Sequence, residues 1–90
     1  MKKNVRVAVC QINVTNSIQK NRDKILDFID KAARKRADIA CFPECSTIHD
    51  EKLIIKNKYT IANEIKNTIE SISKKCAEKK IWCIFGTYIT

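Results

Sequence analysis

The sequence predicts an α/β fold, a β-α-β-α-β unit with parallel strands, on two observations. Three short apolar runs occupy residues 5–12, 37–42 and 81–85, and the two stretches between them repeat apolar residues at helical spacing. This order is what right-handed crossovers produce when they build a parallel sheet with helices on one or both of its faces.

The first run, Val5-Arg6-Val7-Ala8-Val9-Cys10-Gln11-Ile12, is rich in β-branched residues and almost continuously apolar, as expected for a strand covered on both faces. Residues 13–17 supply turn and cap formers. Ile18, Ile25, Ile29, Ala32 and Ala33 then mark one face of a helix over about 17–36. The second run ends at Pro43, which lacks a ladder donor, so the strand stops just before Glu44. Residues 46–59 are too irregular to assign beyond a loop with one turn of helix. Ile61, Ile65, Ile69, Ile72 and Cys76 give the clearest helical repeat, over about 60–80. The third apolar run continues through Gly86-Thr87-Tyr88-Ile89, so the last residues belong to a strand or lie just after one.

Ninety residues allow one domain with one modest core. The 44% hydrophobic and 31% charged fractions are those of an ordinary globular chain and argue against disorder. No apolar stretch approaches the roughly 20 residues of a membrane span, or reaches signal-peptide length. The net charge of +8 raises a nucleic-acid reading, but the basic residues spread over the outer faces of both helices and no set of aromatic residues is interleaved for base stacking. A solvated surface is expected, with no specific nucleic acid and no membrane as partner. Five cysteines at irregular gaps do not form a disulfide framework, which points to a reducing cytoplasm and to packing roles for most of them.

Ligands of open α/β sheets bind outside the carboxyl ends of the strands, where Glu44 falls. A carboxylate behind an apolar strand and a rigid proline is shielded enough for its pKa to rise towards neutrality, which suits a general base; the competing reading is a solvated strand-end carboxylate. Cys45 adjoins Glu44, but neighbouring side chains of an extended segment point to opposite faces, so it is poorly placed to exchange a proton with it. Cys41, Cys45 and His49 could be read as three zinc ligands, yet a structural site wants a fourth and none is evident. His49, the only histidine, reads as an exposed loop residue or as part of a substrate entrance. No metal or cofactor is expected. The turn at residues 13–17 has no glycine to admit a phosphate, which argues against a flavodoxin-like domain.

The string Val5-Arg6-Val7-Ala8-Val9-Cys10-Gln11, then Asn21 with its helix, then Ala37-Asp38-Ile39-Ala40-Cys41-Phe42-Pro43-Glu44, resembles the opening of the nitrilase, or carbon–nitrogen hydrolase, superfamily. The second helix and Ile84-Phe85-Gly86-Thr87 continue the match. The resemblance implies the amino-terminal part of an α-β-β-α sandwich in which a Glu, a Lys and a Cys act on a nitrile, amide or carbamoyl group. Glu44 occupies the Glu position; the Lys and Cys are implied in later segments of the fold, beyond Thr90. The expectation is therefore a truncated hydrolase domain over 1–90, inactive alone, whose small-molecule nitrile or amide substrate belongs to the full-length enzyme. The alternative is a small non-catalytic α/β module that binds a protein or polyanionic partner.

Two further expectations accompany the resemblance. Relatives often end each helix with glycine, and this sequence has Arg36 and Lys80; if those positions need a left-handed backbone, each costs about 1 kcal/mol. Part of a two-sheet sandwich also leaves apolar surface uncovered, so a homo-oligomer or a self-associating chain is expected.

Overall fold

The computed structural model describes residues 4–15, 17–43 and 58–86. Five elements follow in the expected order: β1 (Val7–Val9), α1 (Ile18–Arg34), β2 (Ile39–Cys41), α2 (Lys58–Lys79) and β3 (Trp82–Ile84). The sheet is parallel with order β1-β2-β3, and the register aligns Val7 with Ile39 and Trp82, Ala8 with Ala40 and Cys83, and Val9 with Cys41 and Ile84. β2 is thus the central strand. Pairing runs past the short strands: Cys10 N–H donates to Cys41 O at 2.8 Å and Phe42 N–H to Ile84 O at 2.9 Å.

Both crossovers step in the same direction across the sheet, so a common right hand brings both helices to one face, where they pack on each other and on the sheet. The row beneath them is small: Ala40 is fully buried between Ala8 and Cys83. Small side chains there let Ile25 and Ile29 of α1 and Ile72 of α2 reach the same core as Cys10, Phe42 and Ile81. An ion pair ties the helices together at their rim, with Lys75 Nζ 3.2 Å from Asp30 Oδ2. The Lys, Arg, Asp and Glu side chains of residues 4–43 and 60–86 remain at least partly accessible, as the spread of charge predicts.

The opposite face corrects the expectation that β1 is covered twice. Val7 and Val9 are 50% and 76% exposed, and Trp82 and Ile84 of β3 are 78% and 59% exposed. With both helices on one side, alternate residues of every strand project from the other, and they are apolar.

The helices end alike. Arg36 and Lys80 have φ of 60° and 56°, in the left-handed region. Arg36 N–H donates to Ala33 O and Ala37 N–H to Ala32 O; Lys80 N–H donates to Ala77 O and Ile81 N–H to Cys76 O. Each pair closes the last turn as a Schellman cap, with residues 37 and 81 turning back into the core.

Within α2 the buried stripe is Ile61, Ile65, Thr68 and Ile72, so it runs one position before Ile69, which is 37% exposed. Thr68 is fully buried without cost to its hydroxyl, which donates to Glu64 O at 2.8 Å within the helix.

Candidate active site at the carboxyl edge of the sheet

The three strands deliver Cys10, Phe42 and Phe85 to one edge, and the amino end of α1 meets it there. Ser17 caps that helix by accepting from Lys20 N–H at 3.2 Å. Asn21, one turn into α1 and fully buried, holds the preceding loop: its Oδ1 accepts from Thr15 N–H at 2.7 Å and Thr15 Oγ1 at 2.9 Å, and its Nδ2 donates to Thr15 O at 2.8 Å. A buried amide that uses both ends on one loop residue fixes the turn out of β1 without glycine. In the sequence Asn21 stands out only within the family-like string; neither its burial nor its pairing with Thr15 is legible there.

β2 reaches this edge held from both sides, by Cys10 on one flank and Ile84 on the other. Glu44, the candidate base, lies outside the described residues, as do Cys45 and His49. Cys41, the remaining member of the possible zinc trio, is in β2 and half-buried. Among the described residues no group of three His, Cys, Asp or Glu side chains stands close enough to hold a metal ion.

Three of the described thiols, Cys10, Cys76 and Cys83, do not have the environment of a nucleophile. Burial raises Cys10, with nearby Cys41 adding to the effect, and burial raises Cys76. Cys83 is pushed up to about 12, first by burial and then by the neighbouring Cys76. Attack on carbon needs a thiolate, which electropositive and partly exposed surroundings favour; these surroundings favour the thiol. A polar cavity of about 440 Å³ between the starts of α1 and α2, lined in part by Arg22, Glu64 and Asn67, contains no thiol or imidazole.

A carbon–nitrogen hydrolase family model matches residues 6–89, nearly the whole chain. The chain belongs to the carbon–nitrogen hydrolase family. No curated protein matches it significantly. The three-stranded parallel sheet and two helices of this hydrolase chain are compatible with the nitrilase-like fold. No helix among its described residues is long and apolar enough to cross a membrane.

Proposed function

We propose that these residues form the base-bearing part of a hydrolase acting on a nitrile, amide or carbamoyl carbon–nitrogen bond, with Glu44 as the general base. The observation that supports this reading is the family match across residues 6–89, which includes the central strand and the Phe42-Pro43-Glu44 segment at its carboxyl end. In an amide reaction the carboxylate takes the proton of a cysteine thiol as the sulfur bonds to the substrate carbon. A lysine ammonium balances the charge that develops on oxygen. The glutamic acid then returns the proton to the departing nitrogen as the carbon–nitrogen bond breaks. Water, deprotonated by the same carboxylate, releases the acid and restores the thiol.

The nucleophilic cysteine and the lysine come from outside residues 1–90 in this proposal, because the family resemblance implies both in later segments of the fold; the burial that raises Cys10, Cys76 and Cys83 suits packing roles for those three. The 90 residues alone therefore release no ammonia from amides or nitriles. The scattered cysteines suit a reducing, cytoplasmic setting.

An antibody against residues 60–80 identifies the endogenous polypeptide for the decisive assay. In a species of about 250–300 residues, the size a two-sheet hydrolase needs, Glu44→Gln should lower kcat by about 10²–10⁴-fold. Undiminished turnover in that variant, or ammonia release by the purified 90 residues that Glu44→Gln abolishes, would refute the proposal.

A further inference from the structure

We propose that Cys76 and Cys83 are a redox pair: free thiols in the reduced protein, and a reversible disulfide between the end of α2 and β3 when a hydroperoxide oxidises it. The fold brings the two together. Cys76 continues the inward face of α2 one turn after Ile72. Lys80 then reverses the chain, Ile81 N–H donates to Cys76 O at 3.0 Å, and β3 runs back beneath the helix. Cys83 stands beside Ala40 in the row of the sheet that faces the helices, and its S–H donates to the Cys76 sulfur. Thiols that already meet, on side chains directed at each other, need little backbone movement to bond. The contact lies on the helix-covered side of the sheet between two elements of this chain, so it does not depend on what covers the open face.

The hydrogen bond gives the two sulfurs different roles. Burial raises both thiols, but the shared hydrogen bond lowers Cys76 and raises Cys83, because Cys83 is the donor. Cys76 therefore ionises first. Its thiolate attacks one oxygen of the hydroperoxide and the O–O bond breaks. The second oxygen leaves with the electron pair and takes up the proton that Cys76 released, while Cys76 becomes a sulfenic acid. The Cys83 sulfur then bonds to the Cys76 sulfur, the S–O bond breaks, and the Cys83 proton leaves with the hydroxyl group as water. The two sulfurs have together reduced the peroxide bond, and none of these steps uses Glu44. A small-molecule thiol reverses the link by two exchange steps, so in a reducing setting it is transient. Burial keeps the first step slow, which suits a response to sustained oxidation and not a catalytic thiol.

Lys79 and Lys80 lie between the two cysteines, so trypsin separates them and the bond is read as a link between two peptides. The intact endogenous polypeptide is treated with hydrogen peroxide and the peroxide removed. Remaining thiols are capped with N-ethylmaleimide in urea, and the digest is mapped without reduction. The Cys76 and Cys83 peptides should appear joined, and should separate on adding dithiothreitol, while Cys10 and Cys41 stay capped. The initial rate should rise about tenfold per pH unit below the raised Cys76 value. With a 1,3-dione present to trap sulfenic acid, Cys83→Ala should leave Cys76 labelled, and Cys76→Ala should leave Cys83 a capped thiol. A folded chain in which Cys76 and Cys83 both remain capped overturns the proposal, as does a link from either to Cys10 or Cys41. A link that forms only in chain unfolded before oxidation, or a dione label on Cys83 in place of Cys76, overturns it as well.

Discussion

Replacing Arg36 and Lys80 by glycine should stabilise the chain at both helix ends. A side chain in the left-handed region brings Cβ against the following carbonyl at a cost of about 1–2 kcal/mol. Glycine removes that clash but gives back about 0.5–1 kcal/mol through the greater freedom of its unfolded state. The net gain is about 1 kcal/mol per site. Arg36 and Lys80 are exposed, and their backbone hydrogen bonds to Ala33 and Ala77 survive the change, so little else is lost. The two caps close different helices and share no hydrogen bond, so the double variant should gain about 2 kcal/mol. For a domain of this length that corresponds to a rise in Tm of about 4–8 °C per site. The assay is thermal unfolding followed by circular dichroism at fixed protein concentration, because association would add its own concentration-dependent stabilisation. Two controls make it specific. Arg36→Ala keeps a Cβ and should gain nothing. Lys35→Gly, at φ −87°, should lose about 0.5–1 kcal/mol. Equal shifts for Arg36→Gly and Arg36→Ala would refute the backbone argument.

Two more outcomes follow from the edge of the sheet. Asn21→Ala removes both partners of the Thr15 backbone at a buried site and should cost about 2–4 kcal/mol, read as a lower urea midpoint with an unchanged slope; a loss below about 0.5 kcal/mol would mean that the loop holds itself. In native protein at pH 8, a Cys83 thiol pushed up to about 12 should alkylate on the order of a thousandfold more slowly than an ordinary thiol near 8.5, with the rate climbing as pH rises. Peptide mapping that finds Cys83 modified as fast as the same residue in unfolded chain would contradict the burial account.

The sequence shows the order of elements clearly because helix and strand periods differ so much in Ile18-Ile25-Ile29 and in the runs around Val7 and Ala40. It also exposes the strained caps, since the absence of glycine at 36 and 80 is visible before any backbone angle. Two features are not legible at this level. Thr68 and Ile69 differ by one position on a helix, and the close approach of α1, not hydropathy, decides that the smaller residue turns inward. A nearly continuous apolar strand looks the same whether one face or both are covered, so the exposure of Val9 and Trp82 follows only from the common side of the two crossovers. Of the candidate site, the strand, the cap and the Asn21 clamp are now in place, and each was needed to say where the segment carrying Glu44 begins.

The position of β2 between two partners also has a consequence in time. The Phe42 amide is hydrogen-bonded to β3, and Cys41 O receives the Cys10 amide from β1, so releasing either group requires a whole strand to separate. Hydrogen exchange at these amides should therefore occur only through the largest opening of the domain, more slowly than at the frayed ends of α1 and α2. Under the proposed role of Glu44, the strand that leads to it is the part of the described fold that opens last, after every local fluctuation of the helices.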